Sequence, residues 1–162
     1  MFDIILMEKA NSAHILPRLF QILSVNMTGI APTGNTLEQD YQIWTSAIQP
    51  LLECKERQIL LIMQFNAIIG YFQYYADDSV FKMEEIQIVR TYWNSGAFRE
   101  LYRYLAQHIP THIRWVEAYA NKKNGKSQGI LRHLGLEVIG ESKNGNSFHF
   151  RGDCQQMLAH YR

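Results

Sequence analysis

Ile86-Gln87-Ile88-Val89-Arg90-Thr91-Tyr92-Trp93-Asn94-Ser95-Gly96-Ala97-Phe98-Arg99-Glu100-Leu101 is the stretch on which the fold turns. Its first part alternates apolar and polar residues and is rich in β-branched side chains, the pattern of a strand. Trp93 to Gly96 then supplies a polar turn, and Phe98, Leu101, Leu105 and Ile109 recur at helical spacing until Pro110 stops the helix. A strand that empties through a short turn into a helix gathers unpaired amides at one point. The first helical turn has no intrahelical acceptors for its N–H groups and carries the positive end of the helix dipole, so the amides of Ser95, Gly96, Ala97 and Phe98 can hold a phosphate-bearing ligand. Taken alone, the single Gly96 fits an ordinary helix start equally well.

Upstream, the strand extends back to Val80, with Glu84, Ile86 and Ile88 on one face and Met83, Glu85, Gln87 and Val89 on the other. Asp77-Asp78-Ser79 makes the turn before it. Ile59 to Met63 is a continuous apolar run, Asn66 a turn, and Ile68 to Ala76 a segment rich in β-branched and aromatic residues, so a three-stranded meander is predicted. Further back, Phe2 to Met7 reads as a strand. Asn11 or Ser12 caps a helix carrying Ile15, Leu16, Leu19, Phe20 and Leu23, and Thr36 caps a second helix running to Leu52. The segment Thr28 to Asn35, with two glycines and a proline, is the loop between them.

Downstream, Ile113 to Ala120 reads as a strand, Asn121 to Gly125 as a polar loop, and Lys126 to Leu134 as a short helix closed by Gly135. Glu137 to Glu141 and Ser147 to Arg151 pair across a loop with hairpin chemistry, and Cys154 to Tyr161 makes a last helix. The predicted order is β-α-α-β-β-β-α-β-α-β-β over a single domain, residues 1–162, with no internal repeat.

The totals narrow the classes. Sixteen basic and fifteen acidic residues give a formal charge of +1, so no molecule-wide field favours nucleic acid or an anionic membrane. The aromatic run Tyr71, Phe72, Tyr74 and Tyr75 lacks interleaved basic residues and reads as core or acceptor lining, not as a stacking platform. Two cysteines, Cys54 and Cys154, offer neither a disulfide framework nor paired zinc spacing. The apolar run at the N-terminus is broken early by charge, and no stretch reaches the roughly 20 apolar residues of a membrane span. These features predict a cytoplasmic protein with reduced thiols.

The element order, the strand-turn-helix and the segment Asn124-Gly125-Lys126-Ser127-Gln128-Gly129-Ile130-Leu131-Arg132-His133-Leu134-Gly135-Leu136 together resemble the GNAT superfamily of N-acetyltransferases over nearly the whole chain. In that family a strand L-x-V-x-P-x-Y leads into Q/R-x-x-G-x-G/A, and a later helix follows N-x-x-A/S-x-x-x-Y-x-x-x-G-F. Ile86, Ile88 and Tyr92 match the strand pattern and Gly96 the central glycine; Asn124, Ser127, Gly135 and Leu136 match the later one. The resemblance implies an α/β (α+β) fold with a mixed central sheet of about seven strands and helices on both faces. It implies acetyl-CoA as co-substrate, with pantetheine lying as a pseudo-strand where the long strand and the one at Ile113 to Ala120 splay apart. The main chain of Ile88, Val89 and Arg90 would bond the pantetheine, the amides from Ser95 to Phe98 would hold the pyrophosphate, and Asn124 and Ser127 would meet the pantetheine end. The implied chemistry is direct attack of a neutral primary amine, of a small molecule or a peptide, on the thioester. Such transfer requires no metal, and the partners implied are the amine and at most a second copy of the chain.

Departures from the pattern matter as much. Arg90 stands for the family's proline, Trp93 for Gln or Arg, Phe98 for Gly or Ala, and Leu131 for the tyrosine that serves many members as general acid. Glu84, on the face of Ile86 and Ile88, and then Glu85 are the candidate bases, against the plainer role of salt-bridged strand carboxylates. Lys122, Lys123 and Lys126 are candidates for a terminal phosphate or simply a solvated loop. His133 and His149 are candidate proton shuttles or packing residues, and Pro110 separates His108 from His112 and so disfavours a metal site there. The rival reading is a GNAT-like binding or scaffolding module without turnover, kept open by Trp93, Phe98 and Leu131.

Overall fold

A computed structural model describes residues 1–162. In chain order the elements are β1 (Asp3–Leu6), α1 (Ser12–Met27), α2 (Leu37–Leu52), β2 (Arg57–Gln64), β3 (Ala67–Ala76), β4 (Val80–Ile88), α3 (Ala97–His108), β5 (Trp115–Asn121), α4 (Gly125–His133), β6 (Glu137–Glu141), β7 (Ser147–Asp153) and α5 (Cys154–Ala159). The seven strands form one mixed sheet in the order β1-β2-β3-β4-β5-β7-β6. Every predicted element is present in its predicted order. No helix is long and apolar enough to cross a membrane. By its internal contacts the chain falls into two compact units.

The first unit comprises Met1–Gln73 and Glu85–Phe98. Leu16 and Leu19 of α1, Ile48 and Leu52 of α2, and Ile59, Leu61 and Tyr71 of the strands close over Met7 to form its core. Each such side chain contributes about 1.5–3 kcal/mol by leaving water. A capping box starts α2: Gln39 N–H donates to Thr36 Oγ1 at 3.2 Å, and Thr36 N–H donates to Gln39 Oε1 at 2.9 Å. The expected side-chain cap on α1 is not made. Asn11 turns its amide instead to Glu8 Oε2, at 3.3 Å. Between β2 and β3, Phe65 and Asn66 both take left-handed backbone, φ 51° and 63°, which suits the twist of a two-residue hairpin turn. β4 stops at Ile88 rather than Val89, because the chain enters a 3-10 turn at Arg90–Tyr92.

The second unit comprises Tyr74–Glu84 and Arg99–Arg162. Its β3–β4 turn is held by Asp77, whose Oδ1 accepts from the main chain of Ser79 at 2.8 Å and of Val80 at 3.0 Å; these bonds pull the carboxyl down to about 2. β4 and β5 run parallel, paired from Val80 with Trp115 to Met83 with Ala118. β7 lies antiparallel to β5 along its whole length and carries β6 at its other edge, with a bulge between Val138 and Gly140. Leu101, Leu105 and Ile109 are buried, as the stripe predicts, and so is Tyr102, whose Oη donates to Met83 Sδ at 3.3 Å. The strand expected from Ile113 begins at Trp115, since Ile113 N–H still closes a turn onto Pro110. Gly135, at φ +93°, ends α4 as expected, with Leu136 N–H reaching back to Leu131 at 3.0 Å.

Candidate functional site

The turn after β4 is built by local bonds. Tyr92 N–H closes onto the Val89 carbonyl at 2.8 Å and Trp93 N–H onto Arg90 at 3.1 Å. Asn94 and Gly96 then take positive φ, 63° and 93°, which swings the chain into α3. The Ser95 hydroxyl donates to the Tyr92 carbonyl and accepts weakly from Ala97 N–H, so the Ser95 side chain braces this corner. Ser95 N–H is itself bonded to Tyr92, whereas Gly96, exposed at the apex, finds no acceptor for its N–H in the protein. Of the amides expected at this corner, those of Ser95 and Ala97 are engaged within the turn and that of Gly96 is held open. Ala97 is buried and Phe98 half-buried at the helix start.

Behind the turn a chain of polar contacts runs through buried ground. The Ile88 carbonyl accepts from Trp93 Nε1 at 2.9 Å and from Asn26 Nδ2 at 2.9 Å. The same Asn26 amide donates to Gln87 Oε1 at 3.0 Å, and Gln87 Nε2 donates to Glu85 Oε1 at 2.6 Å. Asn26 and Gln87 are buried, and Glu85 is partly so. Burial pushes the Glu85 carboxyl up to about 7, with the bond from Gln87 pulling the other way. Burial, and then the nearby Glu85, raise the Tyr71 phenol well above its ordinary value, and Tyr71 Oη has no hydrogen-bond partner. A carboxyl poised near neutral pH beside an unpartnered hydroxyl is equipped to accept a proton from a polar guest.

Of the two candidate carboxylates, Glu85 joins this buried network, while Glu84 is a half-buried strand residue with partners of its own. Asn26 escaped the sequence reading altogether. The signal was available, because Asn26 continues the stripe of Leu16, Leu19, Phe20 and Ile22 on α1, where a polar residue must meet a buried partner.

In the second unit, Asn124 caps α4, its Oδ1 accepting from Ser127 N–H at 3.0 Å. Asn124 and Ser127, expected at the pantetheine end, are joined by this local bond. Leu131 is buried. Lys122 Nζ is paired with Glu141 at 2.8 Å, so this lysine is engaged within the loop region. Glu117, buried on β5, accepts twice from Arg151, at 3.0 and 2.7 Å, with His149 Nε2 at 3.5 Å and Tyr119 stacked on the His149 ring. His108 stacks on Tyr104, and His112 lies 3.6 Å from Asp78.

No family model and no curated protein matches this sequence. Solved structures do match the fold. An acetyltransferase from Thermus thermophilus aligns at TM-score 0.72 and 16% identity, covering 94% of this chain and 97% of that one. A putative GNAT-family acetyltransferase from Desulfovibrio desulfuricans aligns at 0.68 and 14%, covering 94% and 99%. The aminoglycoside acetyltransferase AAC(6')-Ib, in complex with coenzyme A and kanamycin, aligns at 0.68 and 17%, covering 98% of each chain.

Proposed function

We propose that this chain, which has the fold of the GNAT acetyltransferases, is an N-acyltransferase that moves an acetyl group from acetyl-CoA to a primary amine of a small molecule or peptide, residues 1–162 working as one catalytic domain. The observation that carries the reading is Glu85, a strand carboxyl raised to about 7 and oriented through Gln87 and Asn26 against the main chain of Ile88. Acetyl-CoA supplies an activated thioester carbonyl. The residues fit such a carrier in part: the open Gly96 amide suits its pyrophosphate, while at the end of β4 the Val89 N–H is bonded to the Ile69 carbonyl and the Val89 carbonyl to Tyr92 N–H, each at 2.8 Å. The Ile88 carbonyl, however, already takes two donors, so binding the carrier there requires the Trp93 indole to yield.

Glu85 accepts the proton that the amine loses as its nitrogen bonds to the acetyl carbon. The C–S bond then breaks and the thiolate leaves, taking its proton from solvent. With Leu131 buried where many members carry tyrosine, no side chain of α4 is assigned that step. One protein of similar fold, an aminoglycoside acetyltransferase, is seen in complex with coenzyme A and kanamycin, a pairing of carrier and small molecule that fits the class proposed here.

Calorimetry with acetyl-CoA tests the reading. Binding at micromolar Kd, about −8 kcal/mol, is expected, followed by release of free thiol when amines are screened. Absence of heat up to millimolar carrier would sink it. The doubly occupied Ile88 carbonyl favours one alternative, a binding module without turnover, which predicts carrier binding and no thiol release with any amine.

A further inference from the structure

In the unit made by Met1–Gln73 and Glu85–Phe98, β1 is an edge strand of the sheet. It pairs with β2 alone, from Asp3 across from Met63 to Leu6 across from Leu60. The bond that continues this ribbon, from Met7 N–H to the Ile59 carbonyl at 2.9 Å, fixes which way each peptide group points. Groups of an antiparallel strand alternate in side, so Asp3, Ile5 and Met7 address β2, while Ile4 and Leu6 turn their N–H and C=O groups outward. Those outward groups meet no partner elsewhere in the chain. The edge is also apolar: Ile5 is 48% exposed and Leu6 46%. Asp3 is the one charged residue of the strand, and neither proline, lysine nor bulge guards it. β6, the other edge strand, is guarded: Glu137 and Glu141 stand at its ends, and a bulge interrupts its pairing with β7 between Val138 and Gly140.

We propose that β1 is the pairing edge for a second copy of this chain, whose own β1 adds to it as an antiparallel strand related by a two-fold axis. The strand is complementary to itself. The two-fold register that uses both outward residues on both strands places Ile5 across from the partner's Ile5, with Ile4 bonded to the partner's Leu6 and Leu6 to the partner's Ile4. The exposed Ile5 side chains then meet at the axis, where directly opposed residues without mutual main-chain bonds come closest. Asp3 falls across from the partner's Met7, so no like charges are opposed. The same operation centred on β6 sets Glu137 against the partner's Glu141 at both ends, which disfavours that edge. A formal charge of +1 puts no molecule-wide repulsion between copies. With four residues a side, the contact is small and the dimer weak and reversible.

Sedimentation equilibrium of the full chain between about 1 µM and about 1 mM is the test, and a monomer–dimer equilibrium with Kd on the order of 100 µM is expected. Leu6→Pro deletes an outward N–H and no bond to β2, and Ile5→Lys opposes like charges across the axis; each should weaken dimerisation about tenfold or more. Val138→Lys, on β6, should leave it within about twofold. Thermal melting shows which variants fold. Hydrogen exchange followed residue by residue by NMR needs no variant: the Ile4 and Leu6 amides should slow about fivefold as the concentration rises to about 1 mM. A chain that stays monomeric over this range, a dimer left intact by both β1 variants, or a dimer in which the Ile4 and Leu6 amides gain no protection would overturn the proposal. So would a dimer that Val138→Lys weakens as much as the β1 variants do.

Discussion

The indole Nε1 of Trp93 donates to the carbonyl oxygen of Ile88 across 2.9 Å, so an aromatic side chain at the mouth of the turn covers a main-chain acceptor at the end of β4. Arg90 lies over the same ring, 5.3 Å from its centre. Trp93→Phe keeps the ring and removes the donor. The expected result is acetyl-CoA affinity increased about two- to tenfold, the counterpart of one neutral hydrogen bond, with stability lower by about 1 kcal/mol. Calorimetry and denaturant titration measure the two effects. Weaker carrier binding would mean that Trp93 itself contacts the carrier.

Glu85→Gln should lower kcat by about 10²–10⁴-fold with little change in carrier affinity, since it removes a proton acceptor and leaves the bond from Gln87 an oxygen to reach. Glu84→Gln should leave kcat within about twofold of the parent. Steady-state kinetics with any amine that turns over decides between them, and a large loss at Glu84 alone would restore the opposite ranking.

The acidity of Glu85 also has a thermodynamic face. Its carboxyl ordinarily titrates near 4.5 and in the fold is raised to about 7, so between those values the folded chain holds more protons than the unfolded one. Stability therefore falls as pH rises through that window and is level above it with respect to this group, by about 3 kcal/mol in all. Denaturant titrations at pH 5 and pH 8 should show this slope in the parent, and Glu85→Gln should flatten it. Parallel slopes in the two proteins would show that Glu85 titrates normally.

Gly96→Ala puts a Cβ where φ is +93°. The space around the position is open, so the penalty is backbone strain alone, about 1–2 kcal/mol. Carrier affinity should fall with it, because relaxing the strain turns away the open amide of Gly96. Retained affinity would show that the pyrophosphate sits elsewhere.

Cys154 is buried and its thiol is pushed up to about 11, first by loss of solvent and then by Asp153. Only Cys54 should react promptly with a thiol reagent at pH 7.5, and Cys154 should react at the rate of unfolding. Two prompt thiols per chain would contradict the burial.

What the sequence disclosed follows from where its physics is local. The capping box at Thr36, the stripe of Leu101 and Leu105, and the glycine stop at Gly135 are each determined within a few residues, and they appear where expected. The turn from β4 into α3 was legible for the same reason. The setting of Glu85 was not legible, because its acidity depends on burial and on Gln87, itself held by a residue of α1 that no local pattern links to β4. That β1 lies at an edge depends on the order in which seven strands pair, which no single segment of sequence records.

Asn26 and Gln87 meet although sixty-one positions separate them. Gln87 can aim its amide N–H at Glu85 because Asn26 occupies its oxygen, and that N–H is the contact that restrains the carboxyl from an even higher proton affinity. The last turn of α1 thus acts, through Gln87, as a tuning peg for the acid strength of a residue on β4. A guest that displaces that helix by a fraction of an ångström would alter the pH at which the chain takes up its proton, before meeting the carboxyl at all.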